Sequence, residues 1–81
     1  MIARMWEARC EPGRTDDVVR WVRGTVVPDA LEAGASTAEA FRSDDRVVLI
    51  TRWPIASTWV EPAPPVGIVA RSHAWDFEVL R

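Results

Sequence analysis

The sequence predicts a single α+β domain in which helices cover one face of a four-stranded antiparallel sheet. The length of 81 residues allows one domain, residues 1–81. Four segments alternate or group their apolar residues as strands do, and one long segment repeats them at helical spacing. Hydrophobic residues make up 48% of the chain and charged residues 27%, which is typical of a globular protein.

Charge and composition exclude several classes of function. The net charge is −2, and the ten basic residues, all arginine, are scattered along the chain. Nucleic acid requires a concentrated basic face, so we expect no nucleic-acid partner. No signal peptide is visible, and no apolar stretch approaches the ~20 residues that span a membrane. We therefore expect a cytoplasmic protein without membrane contact.

A first strand is predicted over Ile2–Cys10, where successive side chains alternate between two faces. Arg4 and Trp6 share one face, and Met5 lies on the other. Bulky apolar groups on both faces indicate a central strand. Proline and glycine within Glu11–Arg14 predict the turn that ends it.

A helix is predicted to follow, with Thr15 as its N-cap and two aspartates in its positively charged first turn. Its apolar stripe consists of Val18, Val22, Thr25 and Val26. Pro28 removes a helical hydrogen bond and clashes with the carbonyl of Gly24. We therefore expect a kink or break between Gly24 and Pro28, and a helix end at Gly34.

Three further strands are predicted. Ser36–Arg42 is polar and typical of an edge strand, whereas Arg46–Trp53 is apolar on both faces and therefore central. Ser43–Asp45 connects them tightly. Ser72–Leu80 alternates cleanly and forms the last strand.

The segment between the last two strands is rich in proline. A short helix over Ile55–Val60 is predicted, because Pro54 suits a first helical position. The helix cannot continue through Pro62, Pro64 and Pro65. A loop therefore follows, with a turn near Gly67–Ala70, and the sequence leaves the order of residues 61–67 open.

The predicted element order is strand, helix, strand, strand, short helix, strand, which is the ferredoxin-like βαββαβ arrangement. The first and third strands are apolar on both faces, yet the helices cover only one face. A second copy, packed sheet to sheet through a two-fold axis, would cover the other. The sequence therefore predicts a homodimer.

The chain resembles the dimeric α/β-barrel superfamily and, within it, the small antibiotic-biosynthesis-monooxygenase-like proteins. Four segments carry the resemblance: IARMWEARC with its Pro-Gly turn, TDDVVRWVRGTVVPDALEAG, AEAFRSDDRVVLITRW and HAWDFEVL. The resemblance implies a pocket between sheet and helices. Active members oxidise polycyclic phenols with molecular oxygen and no cofactor, or degrade haem. This chain contains none of the asparagine or tyrosine that those pockets use.

Polar candidates for a site are few. His73 is the one histidine, and its ordinary pKa of about 6.5 suits a catalytic base or a haem ligand. The alternative is a strand-end histidine at the dimer seam. Arg4 and Arg52 are candidates to hold a phenolate or carboxylate. The alternative for Arg4 is an ion pair within the protein, with Asp76, Glu78 or Glu39.

The tryptophans are the aromatic candidates. Trp53 and Trp59 bracket the proline-rich segment, where they would stack on a flat ligand or fill the core. Trp6 shares a strand face with Arg4 and is a further ligand candidate. Trp21 lies on the helix stripe and is expected in the core rather than at a binding site, and Trp75 is expected in the core or at an interface.

Two functional hypotheses follow. The first is a small homodimeric pocket protein that binds a planar aromatic molecule and acts as a cofactor-independent monooxygenase on polycyclic phenols, with His73 as base. The second is a non-catalytic ligand-binding or structural homodimer. No set of side chains has metal-ligand spacing, so we expect neither a metal nor a cofactor. Cys10, the single cysteine, is interpreted as a small apolar residue.

Overall fold

The computed structural model describes all residues from 1 to 81 and contains one antiparallel sheet and one helix. Its elements are β1 (Ile2–Cys10), α1 (Thr15–Trp21), a π-helical segment (Val22–Val26), α2 (Val27–Glu32), β2 (Thr37–Arg42), β3 (Arg46–Trp53) and β4 (Val69–Glu78). The strand order is β2-β3-β1-β4. The predicted central positions of β1 and β3 and the edge position of β2 are confirmed.

The sequence located the central strands better than the outer ones. The bounds of β1 and β3 agree with prediction. The last strand begins at Val69, three residues before the predicted Ser72, and ends at Glu78. A bulge between Arg9 and Cys10 shifts the register there, so that Cys10 pairs with Val69.

The helix is continuous over 18 residues, so the predicted break between Gly24 and Pro28 is wrong, and a π-helical irregularity over Val22–Val26 is found instead. The N–H of Val27 donates to the carbonyl of Val22, five residues back, which is the bonding of a π-helix. Pro28 offers no N–H and stands in the first turn of α2, so the widened turn before it accommodates the proline ring. Gly34, with φ of +115°, lies just beyond the helix end, as predicted.

The start of the helix also differs from prediction. Thr15 is the first helical residue rather than the N-cap, and its hydroxyl donates to the carbonyl oxygen of Asp44 at 2.9 Å. This bond ties the helix to the β2–β3 turn. Thr25, predicted in the apolar stripe, is exposed, because the buried line of the helix runs through Val18, Val22 and Val26 at a spacing of four residues and Thr25 lies beside it.

The predicted short helix over Ile55–Val60 is absent, and the chain runs irregularly from Pro54 to a turn at residues 66–68. A helix this short needs tertiary packing for its stability. Ile55 is 78% exposed and Val60 66% exposed, so the segment has no apolar face to bury. The fold is therefore α+β with one helix, and not a complete ferredoxin-like βαββαβ unit.

The core lies between the helix and one face of the sheet. Its nine buried residues are Trp6, Ala8, Cys10, Val18, Val22, Val26, Val47, Leu49 and Ile68. A smaller cluster beside it contains Ala30, Ala35 and Trp53. Trp6 meets Trp21 of the helix edge to face, with ring centroids 5.9 Å apart.

The opposite face of the sheet, hereafter the open face, has no element over it. Met5, Val48 and Ile50 occupy its centre and are partly buried. Three aromatic side chains on the same face are between 46% and 49% exposed: Phe41, Trp75 and Phe77. The expectation that one face lacks a cover within the chain is confirmed.

Candidate functional site

A small cavity of about 100 Å³ lies on the helix-covered side of the sheet, where the proline-rich segment crosses β1 and β4. Its lining consists of Ile2, Arg4, Trp53, Ala56, Ser57, Trp59 and Asp76. Three of the predicted ligand-binding residues meet here, namely Arg4, Trp53 and Trp59. We call this the Trp53–Trp59 cavity.

The two tryptophans form a wall of the cavity. Their ring centroids are 5.4 Å apart and their planes are tilted by 35°. The indole Nε1 of Trp53 donates to Oγ1 of Thr51, and that of Trp59 donates to Oδ2 of Asp29, both at 2.9 Å. Both indole N–H groups are therefore engaged within the protein, and Trp53, which is 3% exposed, is more enclosed than Trp59.

Arg4 is the charged group of the cavity, and protein carboxylates hold it. Glu61 accepts two bonds, from Nε at 2.7 Å and from Nη2 at 2.9 Å, and Asp76 accepts one from Nη1 at 3.1 Å. The bidentate bond to Glu61 raises the pKa of Arg4 above its ordinary value. Three of the five N–H groups are occupied, so two remain for a ligand.

The alternative proposed for Arg4, an ion pair within the protein, is confirmed for Asp76. Glu61, its closer partner, was missed from the sequence, and its side chain is only 8% exposed. One signal pointed to it, since Glu61 is the single charged residue between Pro54 and Ile68. An isolated acid in a segment that crosses a sheet is a natural partner for a half-buried arginine.

The other three predicted site residues lie elsewhere. Trp6 is buried in the core beneath the helix. Arg52 and His73 are exposed on the open face, where the His73 ring lies 5.4 Å from that of Trp75. The sheet therefore separates His73 from Arg4, and a single protomer does not bring these two residues to one substrate.

A second hollow, of about 240 Å³, adjoins the cavity and is lined by Ala33, Gly34, Trp53, Pro54, Ile55, Ala56 and Ser57. Trp53, Ala56 and Ser57 line both spaces. Pockets for drug-sized ligands start at ~300 Å³, so each space alone is smaller than such a pocket. The Trp53–Trp59 cavity is of a size for one ring rather than several fused rings.

The structure shows no metal-binding group, no membrane-spanning helix and no exposed cysteine. No group of three or more histidine, cysteine or acidic side chains is placed to hold a metal ion. No helix of the chain combines the length and the apolar character required to cross a membrane. Cys10 is buried, and this burial raises the pKa of its thiol, as expected of an inert structural cysteine.

Two structural features bear on the function of the chain, namely its fold and the Trp53–Trp59 cavity. The fold is a small α+β fold with one helix and a four-stranded antiparallel sheet. The cavity combines two indole faces with an arginine that is partly engaged. Comparisons with protein families, with characterised proteins and with solved structures found no match to this chain.

Proposed function

We propose that the chain is a homodimeric binding protein that holds a small planar organic molecule in the Trp53–Trp59 cavity. The observation that carries this proposal is that Trp53, Trp59 and Arg4 line one space, and that two N–H groups of Arg4 have no partner within the protein. We also propose that it is a one-helix member of the dimeric α/β-barrel superfamily. The strand order β2-β3-β1-β4 and the uncovered apolar sheet face support this assignment.

The charge of the cavity favours a neutral ligand. Arg4 faces two carboxylates, Glu61 and Asp76, so the group of three carries a net charge of −1. An anion would compete with these carboxylates for the guanidinium. A neutral ring with one oxygen acceptor would use the free N–H groups of Arg4 while stacking on the indoles. Single-ring phenols and quinones have this chemistry.

Binding is best tested by following the indole N–H signals of the five tryptophans by NMR during titration with phenol. The signals of Trp53 and Trp59 should shift and saturate, because both rings line the cavity. Cyclohexanol, which matches phenol in size but lacks the flat ring, is the control ligand. Trp59→Leu should abolish the response and Trp21→Phe should preserve it. Equal responses to phenol and cyclohexanol would contradict the proposal.

Oxygenation of polycyclic phenols stays a prediction that the geometry does not favour. This prediction took His73 as the catalytic base, and His73 lies on the opposite face of the sheet from Arg4 and the cavity. An oxygen electrode with anthrone-type phenols tests it directly. Uptake above the buffer blank that falls in a correctly folded His73→Ala variant would favour the enzyme over the binding protein.

The homodimer is proposed from the open face. Half-exposed aromatic side chains on one flat surface are typical of protein interfaces. Charges of both signs border them, with Glu7 and Glu39 acidic and Arg52 and Arg71 basic. A second copy related by a two-fold axis could therefore cover the aromatic residues and also place opposite charges together.

The dimer is tested by light scattering at micromolar concentration. The wild type should have twice the monomer mass of 9.1 kDa. Trp75→Glu should give the monomer, because it buries a charge at the centre of the proposed interface. Val66→Glu is the matched control, since Val66 is 99% exposed and lies outside the open face. A monomeric wild type would refute the dimer without affecting the cavity.

A further inference from the structure

The helix covers only the beginning of the edge strand β2, where Ala38 is partly buried and packs against the core. Ala40 lies opposite Leu49, on the helix-covered face of the sheet, yet Ala40 is exposed whereas Leu49 is buried. Ala40 is small and exposed on this face, so a groove remains between the helix and the end of the strand.

This groove, hereafter the β2 groove, has a volume of about 260 Å³. Its lining consists of Val19, Arg23, Ala40, Phe41, Arg42 and Val47. Val19, Ala40 and Val47 supply its apolar side chains, with Val47 fully buried, whereas the Phe41 side chain lies on the open face. None of the six lines the Trp53–Trp59 cavity, so the two spaces are independent sites.

The groove opens into a shallow depression that is positively charged. Three arginines and one aspartate line the depression, Arg20, Arg23, Arg42 and Asp16, which gives a local charge of +2 in a chain of net charge −2. Asp16 pairs with Arg42 at 2.9 Å, and Asp17 pairs with Arg20 at 3.1 Å.

Arg23 is the arginine of this group that no carboxylate engages. It makes no ion pair, and it is exposed where the groove meets the depression. Arg23 and Gly24 both belong to the π-helical segment, a helix irregularity often found at functional sites. A guanidinium with five free N–H donors presents the fork geometry that matches a carboxylate.

We propose that the β2 groove binds a small amphiphilic carboxylate, with its anionic group on Arg23 and its apolar body against Val19, Ala40 and Val47. The free guanidinium selects a single negative charge. The apolar floor selects a hydrocarbon body, and the groove volume limits this body to a short chain. Octanoate has this chemistry and serves as the probe.

The test compares octanoate with octanol, which has the same chain without the charge, by backbone amide NMR. Octanoate should give saturable shifts at Val19, Arg23 and Ala40. Octanol should bind at least about tenfold more weakly, because it lacks the charge-assisted bonds. Equal affinities would overturn the proposal. Shifts centred on Trp75 and Phe77 would also overturn it, since they would place the ligand on the open face.

Two arginine variants provide a matched pair. Arg23→Gln should weaken octanoate binding about tenfold, whereas Arg20→Gln should change it less than about twofold, because Asp17 already engages Arg20. Equal losses in both variants would show a diffuse charge effect and refute the site. Ala40→Leu should block the groove and abolish binding. Phenol binding should be unaffected by all three, which separates this site from the cavity.

Discussion

The sheet is crossed twice on the same face, once by the helix between β1 and β2 and once by the irregular segment between β3 and β4. The helix bonds its own backbone groups and buries a stripe of valines, Val18, Val22 and Val26, that are fully inaccessible. In the irregular segment, from Pro54 to Ile68, Ile68 is the one buried residue, and the partly buried residues are Trp59, Glu61, Pro62 and Pro64. The two connections therefore cover the sheet by different means.

Side-chain bonds hold the irregular segment in place of a helical backbone ladder. Trp59 donates to Asp29 of α2, and Glu61 binds Arg4 of β1 through two charge-assisted bonds. These bonds reach 30 and 57 residues along the chain. A connection without secondary structure thus concentrates its stability in a few residues, and single substitutions should act differently on the two crossings.

The largest effect is expected beneath the helix. Trp6→Ala should lower the free energy of unfolding by about 3–5 kcal/mol, because it removes a buried ring from the centre of the core. Urea denaturation measures this loss. Trp6→Phe, which keeps an aromatic ring against Trp21, should lose less. A loss below about 1 kcal/mol for the alanine variant would mean that the helix does not depend on this contact.

The next effect is expected at the anchor of the irregular segment. Glu61→Gln should lower the free energy of unfolding by about 1–3 kcal/mol, since the half-buried Arg4 keeps only Asp76 as a charged partner. Amide hydrogen exchange should accelerate in residues 59–65 and remain slow in the helix. Glu78→Gln, on the same sheet face and outside any ion pair, should change stability by less than about 0.5 kcal/mol.

A smaller effect is expected at the second anchor. Trp59→Phe keeps a ring against Trp53 but loses the bond to Asp29, which should cost about 1 kcal/mol. A double-mutant cycle with Asp29→Ala isolates this bond. A coupling free energy near zero would show that the segment is held by Glu61 and by packing alone.

The smallest effect is expected on the pH dependence of stability, at Cys10 beside the start of the helix. Burial raises the pKa of Cys10, which lies where β1 leads into the helix. The contribution of this thiol to stability is complete below its unfolded pKa of about 8.5, and is lost as the pH rises through the folded value. Cys10→Ala should therefore lose less stability than the wild type between about pH 7 and about pH 10. Equal losses of stability in the wild type and in Cys10→Ala over this pH range would contradict the expectation.

The difference between the two crossings also shows which features of the protein could be predicted from its sequence. Alternation and two-sided burial are local signals, so β1 and β3 were located with their correct bounds. Pro28 indicated a kink or break because the rule for proline assumes α-helical bonding. In the π-helical segment the bonds join residues five apart, and the helix passes Pro28 without a break.

The candidate sites were less predictable because they depend on contacts between distant residues. The meeting of Arg4, Trp53 and Trp59 was anticipated only as separate candidates, and Glu61 was not anticipated at all. The β2 groove lies where the small side chain of Ala40 leaves the end of the edge strand uncovered beside the helix. Sequence patterns record the side chains that pack together, and they do not show where two elements fail to meet.

The strand order has a consequence for how the protein is made. β1 is the first strand to be synthesised, and it lies between β3 and β4, the two made last. The 58 residues between Cys10 and Val69 take about 3–12 s to translate, and one edge of β1 stays unpaired during that time. An unpaired strand edge is a site of aggregation. Changes that delay the pairing of β4 should therefore lower the yield of nascent chains more than the stability of the finished protein.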